Sequence, residues 1–204
     1  MRLQLAVTLV VLTVLVSPPL RAQRLTWSAS VGAGGSSWRA ATAASWNVHL
    51  NPWLQLSLGP RLTRFGGTGK TYQIDDEGST ALPAQLSLAS EVWALNVAVG
   101  AEVRPLELFA IGGNLDLAGV ATGSARATDD ATLKPATWSL FRYGHRDLGS
   151  LNSEAYIAVP LRHLRVRAGI SHFVTGYTVS GQSSVRYLRF DTVPFLGVTW
   201  TPEY

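Results

Sequence analysis

The chain has 204 residues, a formal net charge of +4, no cysteine, and 15% charged against 47% hydrophobic residues. The absence of cysteine excludes disulfides, thiolate metal sites and a lipidated cysteine anchor. The modest charge, two units of which Arg2 and Arg21 carry at the N-terminus, points away from nucleic acid as a partner, and the shortage of long Glu/Lys/Leu stretches favours one all-β domain.

Arg2, the apolar run Leu3 to Val16 and the helix-breaking Pro18-Pro19 read as an export signal cleaved after Ala22. The run is shorter than the roughly 20 residues a spanning helix needs. The expected organisation is a signal peptide over residues 1–22 and a β-barrel domain over residues 23–204.

Eight stretches with a two-residue period follow, the length that tilted strands need to cross a bilayer. The first alternates Leu25, Trp27, Ala29 and Val31 with Thr26, Ser28 and Ser30. The second alternates Ala44, Trp46, Val48 and Leu50 with Ser45, Asn47 and His49, and Asn51-Pro52 ends it. In the third, Leu54, Leu56, Leu58 and Leu62 oppose Gln55, Ser57, Gly59, Arg61 and Thr63, with Pro60 a local weakness. The fourth sets Trp93, Leu95, Val97, Val99, Ala101 and Val103 against Ala94, Asn96, Ala98, Gly100 and Glu102. The fifth sets Phe109, Ile111, Leu115 and Leu117 against Ala110, Gly112, Asn114 and Asp116. The sixth has Ala155, Ile157 and Val159 against Asn152, Glu154 and Tyr156. A turn at Arg162-His163 leads to Leu164, Val166, Ala168 and Ile170 against Arg165, Arg167, Gly169 and Ser171, and a final strand closes the chain.

The links after the second, fourth and sixth strands are short. The others, roughly 34–42, 65–85, 120–150 and 178–186, are longer and rich in Gly, Ser, Thr and Asp. This alternation predicts an all-β, eight-stranded antiparallel transmembrane up-and-down β-barrel with short periplasmic turns and longer extracellular loops. A soluble lipocalin-like barrel has the same periodicity with its apolar face inward. Charge favours the membrane: the polar faces collect Arg61, Glu102, Asp116, Glu154, Arg165, Arg167, Arg189 and Asp191, and Lys70 and Lys134 fall in expected loops. Four acids against four arginines predict a lumen plugged by salt bridges. Trp27, Trp46, Trp53, Trp93, Trp200 and Tyr204 fall near strand ends, where amphipathic rings form girdles at headgroup depth.

At the C-terminus, Leu196, Val198, Trp200, Pro202 and Tyr204 alternate with Phe195, Gly197, Thr199 and Thr201. The segment resembles the terminal signal read by the barrel-assembly machinery, with Leu196, Val198, Trp200 and Tyr204 as its expected residues. Gly112-Gly113-Asn114-Leu115-Asp116-Leu117-Ala118-Gly119 resembles a segment of a family of uncharacterised outer-membrane β-barrel proteins. Asp147-Leu148-Gly149-Ser150-Leu151-Asn152-Ser153-Glu154, Leu164-Arg165-Val166-Arg167-Ala168-Gly169 and Thr175-Gly176-Tyr177-Thr178 are similar to that family's C-terminal half. The resemblance covers mainly residues 93–204. It implies the fold and an outer-membrane location, with outer-membrane lipids and lipopolysaccharide as surroundings, and it carries no activity.

Small outer-membrane barrels include lipid A acyl-modifying enzymes, which gives each histidine a possible role. His145 with Asp147 and Ser150 or Ser153 could form a nucleophilic set, but proximity in a polar loop is the stronger reading. His172 would face lipid if the alternation continued, an arrangement similar to a lipid A deacylase whose surrounding motif this chain lacks; a bulge turning Phe173 outward is expected instead. His49 is placed at the periplasmic end of the lumen and His163 in a turn, without metal-ligand spacing. Asp75-Asp76-Glu77-Gly78 and Asp129-Asp130 lack the ligand spacing of a calcium loop, and Gly32 to Gly35 reads as a flexible hairpin. The expectation is therefore no catalytic, cofactor or metal site and a structural or surface-interaction role through extracellular loops. A lipid-modifying enzyme and a narrow pore or carrier are the alternatives.

Overall fold

The computed structural model describes residues 24–74, 85–127, 132–141, 149–179 and 182–202. The proposed signal peptide, Tyr204, His145, Asp147 and both acidic runs lie outside them. Among the described residues are ten strands: β1 (Arg24–Gly34), β2 (Ser37–Asn51), β3 (Leu54–Gln73), β4 (Gln85–Leu106), β5 (Phe109–Ala127), β6 (Thr132–Pro135), β7 (Trp138–Leu140), β8 (Ser150–Leu161), β9 (Leu164–Val179) and β10 (Gln182–Trp200), of which β6, β7 and β8 run in one direction, each antiparallel to β5. Every pairing is antiparallel, and β1–β2–β3–β4–β5–β8–β9–β10 closes on itself when β10 pairs with β1.

Paired residues traced round this ring from Val103 pass through Ile111, Ile157, Ala168, Leu196, Val31, Ala40 and Arg64. They return to β4 at Trp93, ten residues before Val103. Eight strands with a shear of ten require a tilt of roughly 40° and leave an interior that side chains fill. Ten residues at about 3.3 Å each, so tilted, cover about 25 Å of the membrane normal, the height of the apolar band of an outer-membrane barrel. Within that band the outward face is mainly Leu, Val, Ile, Ala and Trp, interrupted by residues such as Thr42, Pro60 and Pro194; Leu196, at mid-height, is 63% exposed. Trp27, Trp46, Trp53 and Trp200 mark its lower edge, and Trp38, Trp93 and Trp138 its upper edge, all of them exposed. An apolar belt of this height, rimmed by indoles, makes the wall a transmembrane one.

The short-turn end has Pro52-Trp53, Glu107-Leu108 and Arg162-His163 at its hairpins. The other end departs from the expected loops. β3, β4 and β5 run well beyond the girdle, and residues 65–73, 85–92 and 120–127 are strand. The β1–β2 link is a two-residue turn, Gly35-Ser36, with Gly35 at φ 59, a left-handed conformation that glycine adopts without a steric penalty. Gly32 and Gly34 are paired strand positions rather than part of a flexible hairpin. Because this hairpin is short, β3 and β10 meet above it, pairing Leu188 with Tyr72. On the opposite side β6 pairs with both β5 and β9 above β8. The eight-stranded ring thus continues outward as a six-stranded one, β3–β4–β5–β6–β9–β10. Lys70 and Lys134 lie on its strands, exposed, and not in loops.

Candidate functional site in the barrel lumen

The outer, six-stranded section is filled by inward Leu86, Leu88, Leu133, Tyr177 and Tyr187, all buried in one cluster with Ala125 and Ala127. Tyr177 donates its hydroxyl proton to Ser90 Oγ at 2.8 Å, which satisfies the one polar atom its ring brings in.

Beneath this cap lies Arg189, fully buried. Its Nε and Nη2 donate to Asp191 at 2.6 and 3.0 Å, Nη1 donates to the Gly67 carbonyl at 2.8 Å and Ser90 Oγ at 3.0 Å, and Nη2 also reaches Ser37 Oγ at 3.0 Å. Hydrogen bonds this complete offset the desolvation of the guanidinium. Gly69 makes room for it, since a Cβ there would stand 2.8 Å from Nε. The Phe65 and Phe173 rings stack at 4.7 Å beside it.

At mid-membrane depth Arg39 donates to Glu154 at 2.6 Å and to Ser171 Oγ at 2.7 Å, with its guanidinium 4.5 Å from the Phe195 ring. Arg61 donates Nε to Asp116 at 2.9 Å and Nη2 to the Asn152 carbonyl at 2.8 Å, and lies 3.3 Å from Glu154. Asp116 also accepts from Asn96 Nδ2 at 2.7 Å and the Asn152 amide at 2.9 Å. These last contacts occupy a particular place. β5 pairs with β8 only as far as Leu115 and Ser153; above that it pairs with β7. Side chains from β3, β4 and β5 therefore satisfy β8 backbone groups that have lost their β5 partner, among them the Ser150 carbonyl, which accepts from Asn96 at 2.9 Å. Leu117 is the extra residue of a bulge in β5, and it keeps Asp116 inward and Val120 outward on either side of the seam.

Lower still, Glu102 takes Arg165 at 2.5 Å and Arg104 at 3.1 Å, and Arg104 also donates to Gln55 at 2.7 Å. Below this layer a vestibule of about 1020 Å³ opens at the short-turn end, lined by Arg24, His49, Arg104 and His163 among others.

All eight charged residues expected inside do face the lumen, yet their pairing differs from the expectation. Arg189 and Asp191 pair along one strand and not across the barrel. Arg167 has no carboxylate within ion-pair distance among the described residues; its guanidinium lies 5.0 Å from the Tyr156 ring. Two further arginines, Arg39 and Arg104, join the set, so four acids face six arginines among the described residues. Arg39 falls in an expected loop because Gly34-Gly35-Ser36-Ser37 precedes it, and its inward parity with Ala41 and Ala43 is the signal that could have found it.

On the outer wall, Leu196, Val198 and Trp200 face outward as expected of a lipid-facing strand. His172 is exposed and Phe173 buried: the alternation continues without the expected bulge, because Phe173 is held by its stack on Phe65. His172 Nδ1 shares a hydrogen bond of 2.8 Å with Thr192 Oγ1, and no carboxylate is among its partners in the described residues. Ser153, its β8 pair, lies on the same outer face, whereas Ser150 is buried. Among the described residues no cluster of three His, Asp or Glu could hold a metal.

The fold and belt define an eight-stranded outer-membrane β-barrel. Compared with solved structures, the chain is similar to Neisserial surface protein A at 10% identity and a TM-score of 0.44, over 87% of this chain and 96% of that one. It is similar to Ail, the attachment invasion locus protein of Yersinia pestis, at 14% identity and 0.36, over 89% and 100%. A major outer membrane protein from Thermus thermophilus aligns at 14% and 0.36, over 87% and 99%. No family model and no curated protein matches the chain.

Proposed function

We propose that the protein is exported to the bacterial outer membrane, sits there as a closed barrel, and works through the surface of its six-stranded outer section, with lipopolysaccharide around it. One observation carries this reading: among the described residues the strands extend past the girdle into a section with its own packed interior, which makes that section a firm platform. A pore has no need of such a cap, and the cap together with the Arg189 layer lies across the route between the two mouths. Catalysis at His172 is no part of the reading, since the hydroxyl of Thr192 cannot do for an imidazole what an orienting carboxylate does.

Two measurements test it together. Purified barrel in planar bilayers is expected to give no steady ohmic conductance; reproducible unitary channels would sink the closed-barrel reading. Cysteine placed at Lys70 or Arg126 is expected to react with an impermeant thiol reagent on intact cells, and cysteine at Glu107 only after the outer membrane is opened. The reverse pattern would put the proposed platform in the periplasm.

A further inference from the structure

Between the Arg39–Arg61–Glu154 layer and the Arg165–Glu102 layer lies a polar cavity of about 50 Å³, bordered by Arg61, Arg165, Arg167, Glu102, Glu154 and Tyr156 among others. Space of this size holds an ion or a few waters and excludes an organic solute.

The charges around it do not balance. Glu154 already accepts Arg39 at 2.6 Å and has Arg61 at 3.3 Å. Glu102 already holds Arg165 and Arg104. Asp116 is taken by Arg61, Asn96 and the Asn152 amide. Every neighbouring carboxylate among the described residues is thus engaged, and Arg167 is left over. It is only 7% exposed, and its Nε is buried without a hydrogen-bond partner. The Tyr156 ring beneath it offers a cation–π contact, worth less than a counter-ion to a desolvated guanidinium. Arg167 also adds to the positive field in which Glu154 stands with Arg61 and Arg39, so further sharing of that carboxylate is opposed by two like charges.

A buried cation with an unmet donor, beside a polar cavity whose nearby acids are all engaged, has the requirements of an anion site. We propose that this cavity binds one small inorganic anion of chloride size, held by Arg167 and the cationic side of Arg165 and Arg61, as a structural counter-ion of the lumen. The inference is independent of what the outer section recognises.

The test compares unfolding of the purified, folded barrel in sodium chloride and in sodium gluconate at equal ionic strength. Gluconate screens surface charge equally and is too large for the cavity. The midpoint of the wild-type protein is expected to be higher in chloride, by roughly 2–4 °C once chloride is well above its dissociation constant. In Arg167→Gln the two salts should give the same midpoint, while Arg167→Lys, which keeps the charge, should retain part of the difference. Crystals grown in bromide should show an anomalous peak in contact with Arg167. Coincident wild-type midpoints in the two salts, or bromide peaks elsewhere with water in the cavity, would overturn the proposal. Should Arg167→Gln fail to fold, the wild-type salt comparison and the bromide peak still decide.

Discussion

Below Trp93 and above it, the wall is made of the same strands turned inside out. On β4, Leu95, Val97 and Val103 point outward and Asn96 and Glu102 inward; eight residues up, Gln85, Ser87 and Ala89 point outward and Leu86 and Leu88 inward. β5 does the same, with Ile111 outward and Asp116 inward below, then Arg126 outward and Ala125 and Ala127 inward above. The lower section has lipid as its solvent and keeps its ions inside, where they must be paired. The upper section has water as its solvent and keeps its ions outside, with an apolar core. The boundary between two solvents is written as a change of phase in one continuous alternation.

Breaking the interior of the lower section should have the largest effect. Glu154→Ala leaves Arg39 and Arg61 without their shared carboxylate, and is expected to destabilise by about 3–5 kcal/mol in urea unfolding from lipid bilayers. Glu102→Ala, next to the water of the vestibule, should cost clearly less. Equal losses would mean that water reaches both layers and that the two levels are not different media.

Breaking the interior of the upper section should cost somewhat less. Leu88→Ala removes packing from an apolar core, worth about 2–5 kcal/mol at a fully buried site. The loss should fall on the outer section alone, seen as new protease cuts in residues 70–90 with the membrane-embedded part still protected. Cuts throughout would show that the two rings unfold as one unit.

The outer surface offers a direct contrast. Leu196→Arg puts a charge at mid-membrane height on the lipid face, at about 2–4 kcal/mol. Ala89→Arg, also outward but beyond Trp93, should stay within about 0.5 kcal/mol of wild type. A similar penalty at both positions would move the membrane boundary outward past Ala89.

This inversion also explains what can be read from the sequence. The membrane section is legible because its alternation has one phase throughout: Trp93 to Val103, Leu164 to Ile170 and Leu196 to Trp200 all carry apolar residues on a single parity, and strand count, direction and inward charges follow from it. The outer section reads as loop because its apolar residues, Leu86, Leu88 and Val92, occupy the opposite parity, and because Gly66, Gly67 and Gly69 dilute the β3 pattern. A phase change without an intervening turn looks like loss of pattern. Arg39 is hidden for a related reason: Gly34-Gly35-Ser36-Ser37 looks like a long loop, whereas only one of those glycines and one serine turn. The bulge expected at His172 rests on the frequency of bulges near barrel rims; the strand instead keeps its alternation there, with the His172 ring near the upper girdle and tied to Thr192. The mutual assignments of the lumen ions, such as Asp116 to the seam between β5 and β8, depend on contacts across the barrel that no local pattern encodes.

A small effect is also expected where the two sections meet, at Arg64. It faces outward between the Trp38 and Trp93 rings, 5.3 and 4.9 Å from their centroids, and donates from Nε to Glu91 at 2.8 Å. Taken for a charge on a lipid face, Arg64 would be costly; taken for a charge in water, it would need no rings beside it. Its side chain is 43% exposed and that of Glu91 45%, so the ion pair is screened and contributes about 0.2–1 kcal/mol. The indoles add about 0.5–1 kcal/mol at such a half-wet position. Arg64→Gln should therefore destabilise by about 1 kcal/mol, and Glu91→Gln by less, because Arg64 keeps its rings and lies at headgroup level, where lipid phosphates can replace a lost carboxylate. The distinguishing measurement is to repeat both variants in bilayers of zwitterionic lipid and of anionic lipid. If Arg64 stands at the boundary, anionic headgroups should reduce the loss in Glu91→Gln and leave the loss in Arg64→Gln unrelieved. Identical behaviour in the two lipids would place Arg64 clear of the headgroups, and with it the level at which the wall changes phase.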